Sequence, residues 1–377
     1  MDRHRRLVLV SSGGVAPSPT PVQGRLRCEG RLLMNDAGIY RAVWTDALSI
    51  LSHAVADQDA YLDWVSRQGF GGVRIFAGAL TWANQTADSA CLALPHVMDA
   101  CVQRDLYVEV TAITDSGTGY DVEQHLKDIN SILLPYENTL VEIANEPYHS
   151  SQNEAVHDPD YLLHCTSFIS ENIMCALGAA PDDESLEYAG GDYMTVHLDR
   201  GRDDWNMVRR VRELENDSAN SGKHVFNNEP KKAGSQLTDP AIVFCMAVLN
   251  RGFEVGGVFH SDSGLDAVVP DASQQAFADA YIAGASVITT AQKLSFQNAG
   301  WSSSPVKSAN FDDGVGGGTG IVRAYSFMSD EQSVLVEVGA GSNPGIVMQN
   351  GWSVGPVLAE RTAADGRKCR VDLLVKG

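Results

Sequence analysis

The chain alternates between short apolar runs with a β-branched bias and longer segments whose apolar positions recur every three or four residues. The first pattern marks buried strands and the second amphipathic helices. Strands are expected at Tyr40–Trp44, Gly72–Phe76, Leu106–Thr111, Leu140–Ala144, Met174–Gly178, Tyr193–Leu198, Val225–Asn228 and Val255–His260. Helices are expected near Asp57–Gln68, Leu92–Arg104, Asp121–Leu134, Asp160–Ile173, Asp182–Tyr188, Asp203–Asn216, Thr238–Arg251 and Gln274–Ile288. Asp57, Asp121 and Thr238 are the expected caps. Gly69 and Gly252 mark the ends of two of these helices. Eight strands, each followed by a helix, are the count of a (β/α)8 barrel.

The two ends of the chain have a different texture. Ser11–Gly24 is rich in Ser, Gly and Pro without periodicity and reads as a tail or tether. Arg25–Ala37 reads as a hairpin around Glu29-Gly30. From Ile321 onward the chain has short alternating runs separated by turn residues, the pattern of a small β-sandwich or β-sheet. These are Val322–Phe327, Ser333–Val338, Gly345–Met348 and Arg370–Val375. The expected organisation is a tail over 1–24, a barrel over 25–303 and an all-β accessory domain over 304–377.

The fourth strand carries the first chemical signal. It reads L-V-E-I-A-N-E-P from Leu140, so Asn145 and Glu146 stand where Pro147 stops the ladder. The motif recurs in K-H-V-F-N-N-E-P from Lys223, with Asn228 and Glu229 at the exit of the seventh strand. The C-terminal tips of barrel strands are where chemistry is done. Two carboxylates at two such tips meet the needs of glycosidic bond cleavage, one as proton donor and one as nucleophile or base. A charge inside an apolar strand, Arg74 in G-V-R-I-F, is rarely buried without a partner and is placed against a catalytic carboxylate.

In these motifs the chain resembles the clan A retaining glycoside hydrolases, over roughly Gly30 to Leu294. The resemblance implies that Glu146 is the acid/base, Glu229 the nucleophile and Arg74 the residue that keeps Glu229 ionised. It also implies that Asn145 bonds the sugar 2-hydroxyl and that His197 orients the catalytic groups. Asn228 and His260 at neighbouring tips, and Trp44 as an aromatic surface, complete the expected substrate-binding and supporting set. There are two departures. Asp199 stands where such enzymes often have a Tyr that bonds the nucleophile, and His260 stands where many have a platform Trp. Glu146 is expected to have a raised pKa, through partial burial and the charge of Glu229.

Composition narrows the partners. The formal charge of −20 disfavours nucleic acid and anionic membrane surfaces. No apolar run approaches the roughly 18 residues of a membrane helix, and the apolar core Leu7–Val10 is too short for a signal peptide. A carbohydrate substrate is the expected partner. None of the seven cysteines forms a C-x-x-C pair, so no metal is expected, and reduced, buried thiols are. The glycine-rich Asp312–Gly320 lacks the context of a phosphate loop, and no cofactor is expected. A competing reading is a barrel that has lost turnover and serves as a glycan-binding or structural module of a larger assembly. Asp199, His260 and the tether-like N-terminus favour it.

Overall fold

The computed structural model describes residues 22–179, 186–198, 200–201, 203–205, 207–208, 210–211, 214, 221–288 and 351–377. It also describes the strands at 295–296, 306–308, 322–327, 332–340 and 346–348. Most of the predicted tail and of the helix at Asp182–Tyr188, together with Asp199, lies outside the described residues.

Eight parallel strands form the central sheet: β4 (Val43–Asp46), β5 (Gly72–Phe76), β6 (Tyr107–Ile113), β7 (Thr139–Ala144), β8 (Cys175–Ala176), β9 (Met194–Val196), β10 (Val225–Asn227) and β11 (Gly256–Phe259). The strand order β8-β7-β6-β5-β4-β11-β10-β9 is that of a nearly closed (β/α)8 barrel. At the seam between β8 and β9, the Asp192 N–H donates to the Cys175 carbonyl at 2.6 Å and the Cys175 N–H to the Asp192 carboxylate at 2.8 Å. The eight predicted strands are all present, the fifth shortened to two residues.

Two helices start away from their expected caps. The helix Val55–Gln68 starts before Asp57, which lies in its first turn, where a carboxylate complements the helix dipole. Gly69, at φ 98°, ends it as expected. Asp121 caps Val122–Leu133 by accepting from the Gln124 N–H. Asp239, not Thr238, caps Pro240–Phe253, because Pro240 fixes the first turn. That helix passes through Gly252 and stops at Glu254 in the left-handed region.

The period-two alternation of the strands sorts the barrel interior into layers. The lowest inward positions, Trp44, Tyr107, Leu140, Phe226 and Val258, make an apolar floor. Gly72 is required there, since a Cβ at this position would lie 2.6 Å from the Trp44 ring. The N-terminal hairpin, β1 (Arg27–Glu29) and β2 (Leu32–Asn35) with β3 (Gly38–Ile39), closes the floor from below, with Leu26 and Leu33 in the same cluster. The Tyr107 hydroxyl donates to the Gly24 carbonyl at 3.0 Å. One step higher the inward positions turn polar: Asp46, Arg74, Glu109, Glu142 and Asn228, all buried.

The C-terminal region is a five-stranded antiparallel sheet of order β12-β14-β15-β18-β17, with β13 and β16 pairing separately. Its strands are β12 (Ser295–Phe296), β14 (Val322–Phe327), β15 (Gln332–Ala340), β17 (Trp352–Thr362) and β18 (Arg367–Lys376), beside β13 (Val306–Ser308) and β16 (Ile346–Met348). The sheet therefore begins upstream of the expected boundary at 304. Val334, Val336, Cys369 and Val371 share one core with Phe244 and Cys245 of the barrel helix. The Ala364 N–H donates to the Asp239 carboxylate at 2.6 Å and the Trp205 indole to Asp365 at 2.9 Å.

Candidate active site

Glu146 and Glu229 stand at the tips of the fourth and seventh strands, with His197, at the tip of the sixth, between them. His197 Nδ1 is 3.2 Å from Glu146 Oε1, and its Nε2 is 3.5 Å from Glu229 Oε2. One ligand atom from each of the three residues lies within 4.8 Å of the others. A cation would also find this spacing acceptable, but the two guanidinium groups on Glu229 oppose one. Glu146 is held at φ 40°, an unfavourable backbone region for a residue with a side chain. Such strain concentrates at functional sites. The turn is fixed by Gln152, whose amide donates to the Asn145 carbonyl at 2.7 Å.

Glu229 is buried and receives two arginines. Arg74 Nη1 donates to its Oε2 at 2.9 Å, and Arg200 Nη2 donates to its Oε1. Burial pushes its carboxyl up, but His197, His260, Arg74 and Arg200 outweigh this and hold it well below the ordinary range. Burial also works against the Arg74 charge, which Glu142, Glu229 and Glu109 more than offset.

Arg74 does more than meet Glu229. Its Nη2 donates to Glu142 Oε2 at 2.6 Å and to Asn145 Oδ1 at 2.9 Å, and its Nε lies 3.6 Å from Glu109 Oε2. Glu142 also accepts from the Thr111 hydroxyl at 2.7 Å and from Asn228 Nδ2 at 3.1 Å. Asn228 thus faces into the barrel beneath the site, whereas Asn145 stays half-exposed at the mouth. His260 is buried, with Nδ1 2.7 Å from Asp46 Oδ2. The Ser261 N–H donates to the same carboxylate at 3.2 Å.

Two expectations are corrected. Trp44 is wholly buried in the floor, its indole N–H donating to the Tyr40 hydroxyl at 2.9 Å, and has no face for a sugar. The strand runs two residues beyond it, so Asp46 rather than Trp44 occupies the tip. The Glu146 carboxyl lies below its ordinary value, not above: burial raises it, but the hydrogen bond and charge of His197 prevail, assisted by Arg200. Of the other tryptophans, Trp64, Trp205 and Trp352 are buried, and Trp82 is 42% exposed. Trp301 and Asp199 lie outside the described residues. All seven cysteines are free.

Sequence reading missed Glu109, Glu142, Asp46, Tyr193 and Arg200. Glu109 in Y-V-E-V-T and Glu142 in L-V-E-I-A carry the same signal as Arg74, a charge at an inward position of a buried strand. Nothing local marks Arg200, which reaches Glu229 only because of how the chain leaves β9.

The sequence matches no family model and no curated protein. In fold the chain is similar to a family 5 glycoside hydrolase from Bacteroides vulgatus, with a TM-score of 0.62 at 12% identity over 94% of both chains. It is also similar to a putative glycoside hydrolase from the same organism, with a TM-score of 0.63 at 11% identity over 94% of this chain and 83% of that one. For an endo-1,4-β-mannanase from Rhizomucor miehei the TM-score is 0.51 at 12% identity, over 70% of this chain and 99% of the other. At these identities the shared feature is the fold, a (β/α)8 barrel.

Proposed function

We propose that the protein hydrolyses β-glycosidic bonds by a retaining, two-step mechanism, with Glu229 as nucleophile and Glu146 as acid/base. The observation that carries this reading is the pair of tip carboxylates with oxygens within 4.8 Å across His197. Retaining enzymes hold the two carboxyl groups about 5–5.5 Å apart, while inverting enzymes need about 6.5–9.5 Å to admit a water. In the first step a Glu229 oxygen attacks the anomeric carbon. The glycosidic bond breaks, and its electron pair goes to the leaving oxygen, which takes a proton from Glu146. In the second step Glu146 removes a proton from water, the water oxygen attacks the same carbon, and Glu229 departs as a carboxylate. Asn145 offers its amide Nδ2 to the 2-hydroxyl, since Arg74 occupies its oxygen.

His197 holds the Glu146 carboxyl below its ordinary value. Substrate that fills the site expels water, and desolvation favours the neutral, protonated carboxyl that the acid role needs.

Trp82 is the open aromatic surface among the described tryptophans. It packs edge-on against Phe76 at 5.8 Å, and the Phe76 ring lies 4.8 Å from the Arg74 guanidinium carbon. Asp115 fixes its short helix by accepting from the Thr81 N–H and hydroxyl. A sugar stacked there would contribute about 0.5–1.5 kcal/mol. Trp82→Ala should therefore lower kcat/KM about threefold to tenfold on a long glycan, and far less on an aryl monoglycoside.

The test is a panel of dinitrophenyl β-glycosides and β-glucans, with β-mannan included because of the mannanase among the similar folds. Product configuration should be retained by proton NMR. Inverted product would replace the two-step mechanism with a single displacement by water. No turnover across the panel would favour the binding-module reading, for which Arg200 on Glu229 and His260 at the eighth tip are the structural grounds.

A further inference from the structure

Beneath Glu229 the barrel holds a charge imbalance. One guanidinium, Arg74, faces three carboxylates, Glu142 at 2.6 Å, Glu229 at 2.9 Å and Glu109 at 3.6 Å. Arg74, Glu109 and Glu142 are fully buried. Three anions against one cation, out of contact with water, cannot all stay ionised at low cost. Glu229 has Arg200 as a second cation, and Glu142 has the short Arg74 contact and the Thr111 hydroxyl. Glu109 has the longest ion contact and no cation of its own. Its Oε1 accepts from the Tyr193 hydroxyl at 2.8 Å, and a protonated Oε1 can donate to that oxygen when the hydroxyl rotates away. Its Oε2 accepts from Asn228 Nδ2 at 3.4 Å and lies 3.6 Å from the Arg74 Nε, whose hydrogen goes to Glu142 Oε2 at 3.2 Å.

We propose that Glu109 is a positioning residue that works as a neutral acid, leaving the single positive charge of Arg74 to Glu142 and Glu229. Ionised, it competes for that charge and draws the guanidinium down from the nucleophile. The groups facing it are Arg74 on β5, Glu142 on β7, Tyr193 ahead of β9 and Asn228 after β10. Glu229 and His197 act through Arg74 and Glu142. Burial and the Glu142 charge push the Glu109 carboxyl up to about 7, against the opposing pull of Arg74, Tyr193 and Asn228.

A glutamine at this position mimics the neutral acid and cannot ionise. The sign of the linked stability follows from the raised value. The folded state holds a proton that the unfolded chain releases near 4.5, so this contribution falls as pH rises from about 4.5 to about 7 and is flat above. Relative to Glu109→Gln, the wild type should lose thermal stability across that window and no further beyond it. This arm needs no substrate. It therefore tests the protonation of Glu109 even if the proposed hydrolysis fails.

The kinetic arm rests on the proposed function. On a dinitrophenyl glycoside, whose leaving group needs little help from Glu146, the ratio of kcat/KM for Glu109→Gln over wild type should rise about tenfold between pH 6 and pH 8. Tyr193→Phe removes a donor that favours the ionised form, so it should move the wild-type alkaline limb upward. Stability curves that run parallel for wild type and Glu109→Gln would overturn the proposal. So would a pH-independent activity ratio, or a limb that Tyr193→Phe leaves in place. Should Glu109→Gln not fold, the Tyr193→Phe shift decides.

Discussion

The two Asn-Glu-Pro motifs are identical in sequence and nearly opposite in surroundings. In the first, Asn145 stays at the mouth and Glu146 is strained, partly exposed and bonded to His197. In the second, Asn228 points down into the barrel and Glu229 is buried between two arginines. The tripeptide supplies only an amide and a carboxylate at a strand exit. Register and neighbours decide which carboxylate stands partly open beside a histidine and which is clamped as an anion between two arginines. A group that must trade protons needs a titratable partner and access to the leaving oxygen. A nucleophile needs permanent positive charge and a fixed direction.

The largest effect should come from the second motif. Glu229→Ala should reduce turnover of every glycoside by at least about 10⁴-fold, the order seen when an enzyme loses its nucleophile. Azide should restore reaction with inverted configuration. Glu146→Ala should lower kcat/KM on a natural glycan by about 10²–10⁴-fold and largely spare the first step on a dinitrophenyl glycoside, with azide giving retained product. Exchange of these two behaviours would reverse the roles of the motifs.

Arg74 belongs to both motifs, through Glu229 and Asn145. Arg74→Met should raise the pKa of Glu229, so that less of it is ionised at a given acidic pH. The acidic limb of the kcat/KM profile should then move up by about 1–3 pH units. The same change strands Glu142 without its cation, and chemical denaturation should report a loss of about 3–5 kcal/mol. An unmoved acidic limb would mean that Arg74 serves the fold and not the nucleophile.

The smallest effects separate the two asparagines. Asn145→Ala should cost about 10–100-fold in kcat/KM, because the 2-hydroxyl contact tightens in the transition state, with little change in stability. Asn228→Ala removes a buried donor to Glu142, and should cost about 1–3 kcal/mol of stability. Equal stability losses from the two variants would erase the contrast between the motifs.

Much of this was legible in the sequence because the signals are local. Alternation and periodicity set out eight strands and most of the helices, and Pro147 and Pro230 marked where two strands end. Arg74 announced itself as a charge in an apolar run. Glu109 and Glu142 carried the same mark, but a lone carboxylate in a strand names no partner, since its partners come from other strands. Trp44 was misplaced because the end of its strand, two residues on, was set by pairing with β5 and β11 through Thr45 and Asp46.

The sequence by itself determined which side chains face inward, since period two follows from the backbone, and it determined that two carboxylates leave the sheet at the C-terminal ends of the fourth and seventh strands. Tertiary structure alone decided how far apart those carboxylates are, that His197 lies between them, that Arg200 comes to Glu229, and that three buried carboxylates share Arg74. Distances between residues remote in the chain are set by barrel closure and the relative register of strands. Hydrogen-bond partners and proton affinities depend on those distances, so they become fixed only when the sheet closes.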